Sequence, residues 1–449
     1  PRRNRSLSLM NHFAQAQAQA IADLSDPAMV ATAKRLCLLV DLHGRLRVLA
    51  ELDNGHASAP LIAAVKAKLA VAGGKFWSGE IWIQKGRDHP EGKTGPSDMA
   101  VFDAVWAEAK PNPPGGAFVF VVHRRYSKEA WFDVKSEAPW PLVAGRTPPI
   151  LSFYSYKGSV GRTTALASIA IQCTRAGKSV VLVDLDLEAP GLASVFPPPA
   201  GAQPELGVLD YLLEQPIVGT DFDPAETVYG FDARGVVGNG QIKIIPAGRV
   251  DEWYLEKLSR MDYHRLTSTG IGPDSPLVEL FKWIRRTHAP DIILVDSRAG
   301  LHDVGGLALS SIAHSHVLFG LDSEQSWAGL RLAISHLGKQ RILVGEKQRE
   351  CMVVQGQVKT DDLDASTARF RRKSHEIFSA EYYDEAGAPN AEWPVEDELA
   401  VDASHFPIPL VHDNRVMGYN EIARIADYLC EGEFKKFGEN ALGRVAITL

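Results

Sequence analysis

Apolar positions fall in two different rhythms along the chain. In the N-terminal third they form short isolated runs. Residues 36–41 (LCLLVD) and 46–51 (LRVLAE) predict two strands, and His43-Gly44-Arg45 between them predicts a hairpin turn. A helix is expected over 60–71, a strand over 80–84 (EIWIQ), a helix over 97–109 and a buried strand over 117–123 (AFVFVVH). After Pro149 the rhythm changes to strands alternating with helices. Strands are expected at 150–154, 179–184, 241–246, 291–296, 316–320, 351–355 and 406–411. Runs such as VVLVD and DIILVD are apolar almost throughout, as strands covered on both faces must be. Alternating β and α elements predict an α/β fold with a doubly wound, mostly parallel sheet, preceded by a smaller α/β domain.

Two breaks punctuate this pattern. Residues 111–116 (PNPPGG) predict a loop, and 138–149 (APWPLVAGRTPP) carry four prolines, which resist helix and central strand. The expected plan is an arm and short helix at 1–30, a small α/β domain of unknown role at 31–137, a proline-rich linker at 138–149, and a large domain at 150–449 with an insertion at about 356–404. The opening PRRNRSLSLM has arginines but no apolar stretch after it, and so predicts a basic arm rather than a secretion signal.

The chain has 449 residues, 45% hydrophobic and 23% charged, which excludes a wholly disordered, collagen-like or rod-like protein. Its net charge of −7 excludes polyanion binding by bulk charge, so a nucleic-acid contact would need a local basic patch. Its four cysteines are far apart and suit neither a metal-ligand spacing nor a disulfide framework. A reducing cytoplasm is the simplest reading. No apolar run approaches the roughly 18 residues of a membrane span.

The strongest chemical signal follows the strand at 150–154. The segment Lys157-Gly158-Ser159-Val160-Gly161-Arg162-Thr163-Thr164 runs into a helical pattern (ALASIAIQCTRAG). Strand, glycine loop, cation, hydroxyl and helix make a phosphate cradle. Glycines let backbone amides approach the phosphates, the helix N-terminus adds positive potential, and a threonine hydroxyl can ligate magnesium. The standard G-x-x-x-x-G-K-[ST] pattern fails twice, at Tyr156 for the first glycine and at Arg162 for the lysine.

Lys157 opens the loop as in the deviant Walker A motif, K-G-G-x-G-K-T. The loop therefore resembles that of the ParA/MinD-type ATPases. VVLVDLDLEAPGL is similar to that family's first switch segment, DIILVDSRAGLHDVGG to its Walker B strand and second switch, and PIPLVHDNRV to its base-side loop. A bacterial subgroup with KGGVGR loops is the nearest match, with Ser159 replacing the second glycine. The resemblance covers about residues 149–430.

This resemblance implies ATP and Mg2+ as cofactors and a set of roles. Lys157 would meet the phosphates of a facing subunit's nucleotide, and Asp186 would orient the attacking water. The backbone of Gly158, Ser159, Val160, Gly161, Arg162, Thr163 and Thr164 would cradle the phosphates, with Arg162 on the β- and γ-phosphates and Thr164 at the α-phosphate. Thr163 would ligate magnesium, and Asp296 would hold it through water. Asp184 is either part of this switch or a strand-end cap. A serine at 159 needs a negative φ, or a hydroxyl that serves a phosphate or a dimer partner.

Other signals have plainer readings. His302, His314 and His316 lack clear partner ligands for a metal. The basic TARFRRK stretch, flanked by acids, reads as a solvated face before it reads as a DNA contact. The C-terminal GEFKKFGENALGRV is similar to a membrane-targeting helix, but Gly438 and Gly443 interrupt its apolar face. Trp77, Trp82, Trp106 and Trp131 read as packing before they read as a binding face. No guanine-reading N-K-x-D follows the sixth strand, which favours ATP over GTP. The expected function is an ATP-binding, slowly hydrolysing switch that dimerises around nucleotide and signals to a protein partner, such as a genetically linked effector. The alternative is a nucleotide-binding scaffold without turnover, with the N-terminal domain carrying the function.

Overall fold

The computed structural model describes residues 12–113, 115–132, 137–199, 206–263, 266, 275–344, 350–384, 395–416 and 421–449. The expected basic arm lies largely outside them, as does part of the expected insertion. The chain packs as two compact units, Pro1–Tyr126 and Ser127–Leu449.

In the first unit, helix α1 (Phe13–Leu24) precedes strands β1 (Arg35–Val40) and β2 (Leu46–Leu52), joined by a turn in which Gly44 takes a φ of +75°. The Asp41 carboxylate accepts the amides of His43 and Arg45 and fixes that turn. Helix α2 (Ser58–Ala72), strand β3 (Trp77–Lys85), helix α3 (Pro96–Glu108) and strands β4 (Lys110–Pro111) and β5 (Val119–His123) complete a sheet of order β3-β2-β1-β5-β4. From Leu36 to Val40 β1 is apolar because both its faces are covered. Leu36, Leu38 and Val40 pack toward α1 and α2, whereas Cys37 and Leu39 pack toward Phe102 and Val105 of α3. Burial pushes the Cys37 thiol up to about 12, so it behaves as a small apolar side chain. Trp82 and Trp106 belong to this packing, and Trp106 donates to Gln84 at 2.7 Å under the Arg35 guanidinium.

The second unit is a three-layer α/β/α domain. Its main elements are β6 (Ile150–Ser155), α4 (Arg162–Arg175), β7 (Ser179–Leu185), α5 (Val208–Val218), β8 (Tyr229–Phe231), β9 (Gln241–Ile245), α6 (Tyr254–Ser259), α7 (Pro276–His288), β10 (Ile292–Ser297), α8 (Asp303–Leu307), β11 (Ser315–Gly320), α9 (Glu324–Val344), β12 (Glu350–Val358), α10 (Leu363–Glu381), β13 (Ile408–Val411) and α11 (Gly432–Gly443). The strand order is β13-β12-β11-β6-β10-β7-β9-β8. All seven strands expected from the sequence are present and parallel; only the short edge strand β8, pairing antiparallel with β9, was not foreseen. The chain leaves β6 toward β7 on one side and places β11 on the other. The loop after β6 therefore sits where an open α/β sheet forms its crevice.

The proline-rich stretch at 138–149 packs with this unit instead of hanging as a free linker. Trp140 is buried among Ile150, Ile293 and Ala313 and donates to the Pro148 carbonyl at 2.9 Å. Helix α11 buries Phe434, Phe437, Ala441 and Leu442 against the core, so its apolar face is covered. A Cβ on Gly438 would stand 2.3 Å from Gln172, so this glycine gives that side chain room. Among the described residues no helix is long and apolar enough to cross a membrane. On α10, Arg369 pairs with Asp322 and Asp362, Arg371 with Glu398, and Lys373 with Glu376, which leaves little unbalanced charge for a polyanion.

Candidate functional site

The loop at 156–161 is pinned at several points. Ser155 Oγ donates to the Lys157 carbonyl at 2.7 Å. Val160 turns into the core, and the Gln357 side-chain amide donates to the Ser159 carbonyl. Tyr156, standing where the standard loop has glycine, lies against Gly329 of α9. A Cβ there would come within 1.9 Å of the ring, so the bulk gained at 156 is matched by bulk absent at 329. Gly161 launches α4 from a φ of +91°, a conformation costly for residues with a Cβ. Ser159 sits at φ +58°, so the negative φ that would have made serine easy at this position is not adopted. A strained non-glycine backbone at a functional loop is a recurrent feature of ligand clamps.

None of the amides from Gly158 to Thr164 donates to a protein acceptor among the described residues. They border a cleft of about 330 Å³, which extends to Leu410 and Val411 of β13, to His412, Asp413 and Val416 just after it, and to Phe434 of α11. A Cβ at Gly158 or Gly161 would meet nothing within 4 Å, so these backbones face open space. A phosphate chain fits this donor set, and a base fits the half-apolar wall.

The acidic side of the site is arranged differently from the expectation. Arg162 does not stand free. Its Nε donates to Asp296 Oδ1 at 2.6 Å, its Nη2 to Asp186 Oδ2 at 2.8 Å and its Nη1 to Ser155 Oγ at 3.0 Å. Thr163 Oγ1 donates to Asp296 Oδ2 at 2.6 Å, and Arg298 Nη1 to Asp186 Oδ1 at 2.9 Å. Every oxygen of both carboxylates is thus engaged. The paired carboxylates do have a cation between them, but it is a guanidinium. Burial opposes the Arg162 charge, yet Asp296 and Asp186 hold it protonated above its ordinary range. A divalent ion held through Asp296 would have to share that carboxylate with this guanidinium. Thr163 and Asp296 as they stand do not fit the expected magnesium site.

Asp184 is fully buried and caps the switch turn, accepting the amides of Asp186, Gly191 and Leu192. Burial, and then the neighbouring Asp296 carboxylate, push it up to about 7 despite those three amides. Beyond Asp186, Arg298 also faces Glu188, whose carboxylate meets His302 at 2.5 Å. Burial pushes Glu188 up, but His302 and Arg298 outweigh it and hold the carboxyl below its usual range. His302 therefore links the segment after β7 to the segment after β10. His316 bonds Ser152, and His314 accepts the Ile150 amide. Among the described residues no group of three His, Cys, Asp or Glu is arranged around a metal position. Lys157 is half-buried and has no ion-pair partner among the described residues.

Arg298, Glu188, Ser155 and Gln357 were given no role by the sequence reading. Arg298 and Glu188 each lie two positions beyond an aspartate already singled out, which was the available signal.

No protein-family model matches the chain. Over 47 residues, 10% of the chain, it is 47% identical to the septum site-determining protein minD homolog, chloroplastic, of Arabidopsis thaliana, and the match spans 14% of that relative's length. Among solved structures it is similar to pNOB8 ParA bound to nonspecific DNA, at 16% identity and a TM-score of 0.45, covering 66% of this chain and 98% of that one. It is also similar to septum site-determining MinD complexed with Mg-ADP from Pyrococcus horikoshii, at 18% identity and a TM-score of 0.40, over 66% of this chain and 95% of that one. The MinC:MinD cell division complex of Aquifex aeolicus matches at 18% identity and a TM-score of 0.40, over 67% and 97% of the two chains. On its own geometry, the C-terminal unit is a mostly parallel α/β sheet domain with a glycine loop after β6 and aspartates at the ends of β7 and β10.

Proposed function

We propose that the C-terminal unit binds ATP as a molecular switch, dimerises around it through Lys157, hydrolyses it slowly and signals to a partner protein. The observation that carries this reading is the run of unpartnered amides from Gly158 to Thr164 bordering a cleft of about 330 Å³. In this reading the polyphosphate lies along the loop, and the base lies toward residues 410–416. Lys157, whose ammonium has no ion-pair partner among the described residues, supplies a cation to the facing subunit's phosphates. Asp186, still held by Arg162 and Arg298, orients the attacking water through its remaining lone pairs.

A second reading, a nucleotide-binding scaffold without meaningful turnover, is favoured by one observation. Both oxygens of Asp186 accept from guanidinium groups, and Oδ1 also from the Ala189 amide, which leaves the carboxylate little capacity to position water. Titration calorimetry with ATP, followed by phosphate release, tests both. Absence of ATP binding sinks both, and binding without release leaves the scaffold. If the switch reading holds, Asp186→Ala keeps ATP affinity and slows release, because water positioning acts mainly in the transition state.

A further inference from the structure

Resting on the nucleotide reading above, we infer that Arg162 stands in for the divalent cation, so that this site binds a nucleoside polyphosphate without magnesium. Four charged groups meet at the edge of the cleft: Asp186, Asp296, Arg162 and Arg298. Within this group of four the two guanidiniums balance the two carboxylates with no metal present, although Arg298 also faces Glu188. The Arg162 side chain is only 9% exposed, and its three nitrogens reach three separate acceptors. A guanidinium is a planar fork with five N–H donors, of which these contacts use three. The remaining two sit on Nη1 and Nη2, and Arg162 lines the cleft beside the free loop amides. A phosphate oxygen arriving along the loop meets those N–H groups without dislodging the side chain from its carboxylates.

A lysine at this position could not do this. Its ammonium has three N–H donors on one nitrogen, so holding two carboxylates and a hydroxyl would leave none for a phosphate. A lysine that left the aspartates for the phosphates would leave Asp296 open to a hydrated metal. With arginine the positive charge on Asp296 is built into the chain. Magnesium would then have to enter beside a guanidinium already 2.6 Å from the same carboxylate, in a site shielded from water. The position therefore selects between the two cations, and the contacts favour the one that is covalently attached.

Isothermal titration of the full chain with a non-hydrolysable ATP analogue, in magnesium and again in chelator, tests this. The expected result is an affinity that falls by less than about tenfold, 1.4 kcal/mol, when magnesium is removed. A larger loss overturns the inference and leaves the nucleotide reading standing, since binding in magnesium is retained. Absence of binding in both buffers overturns both. Arg162→Lys, with its fold checked by thermal melting, supplies the second arm. This variant is expected to lose more than about tenfold in chelator, because its ammonium cannot replace the ion. If Arg162→Lys binds equally well in both buffers, the guanidinium is not the substitute, and the inference fails.

Discussion

Arg162 joins two buried carboxylates, so its removal is expected to act on folding as well as on binding. Arg162→Ala leaves Asp186 with Arg298 and the Ala189 amide, and Asp296 with the Thr163 hydroxyl. Truncating one member of a buried ionic cluster costs about 3–5 kcal/mol, because uncompensated charge stays behind. Chemical denaturation of the free protein measures that loss. Calorimetry should add a ten- to hundredfold drop in ATP affinity, at about 1.5–3 kcal/mol per charge-assisted bond. An unchanged denaturation midpoint would mean that the cluster contributes nothing to stability. Asp184 carries a separate signature. Its folded pKa is raised from 3.8 to about 7, so the folded protein holds the proton more tightly than the unfolded chain does. The cost of burying its charge therefore grows as pH rises from about 4 through about 7 and is complete above that range. Relative to Asp184→Asn, the wild type should lose on the order of 4 kcal/mol across this window. Parallel stability curves for the two proteins would show that Asp184 does not titrate there.

At the scale of elements, the sequence was most legible where burial dictates pattern. The parallel strands announced themselves as apolar runs because helices cover both of their faces, and glycine spacing located the loop and the start of α4. What the pattern could not show was where a long flexible side chain points. The partners of Arg162 lie 24 and 134 residues away in the chain, and no local spacing distinguishes a cation aimed at phosphates from one aimed at aspartates. Prolines at 138–149 suggested a linker because proline excludes regular structure, but irregular backbone can still pack. The same applies to the residues just before it. Lys128 pairs with Asp303 at 2.6 Å, and Trp131 donates to the His302 carbonyl at 2.8 Å, while its ring lies within 2.8 Å of where a Cβ on Gly306 would stand. These contacts strap residues 127–131 across α8, in the second switch segment. Trp131→Ala should lower stability by about 3–5 kcal/mol through lost packing. Gly306→Ala should be destabilising too, because the indole must shift. Thermal melting compares both with wild type, and an unshifted melt for Gly306→Ala would show the strap to be loose.

At the scale of the whole molecule, Lys157 separates a self-contained binding domain from one that works in pairs. Its neighbours in the loop have settled partners: Tyr156 packs on Gly329, Ser159 is held through its carbonyl by Gln357, and Arg162 is buried between aspartates. The Lys157 backbone is held through its carbonyl by Ser155, but its half-buried ammonium has no ion-pair partner among the described residues. A second subunit's phosphates would give it an acceptor that its own chain does not. If so, Lys157→Ala should bind ATP as a monomer, because Arg162 and the amide cradle remain. It should fail to dimerise, because truncating one partner of a buried charge pair at an interface costs about 2–5 kcal/mol. Light scattering with a slowly hydrolysed ATP analogue distinguishes these outcomes. Wild type is expected to double its mass with the analogue and the variant to stay monomeric, with calorimetry giving similar nucleotide affinities for both. A wild type that stays monomeric, or a variant that pairs as readily, would remove the two-subunit mechanism and leave the domain as a nucleotide-binding scaffold.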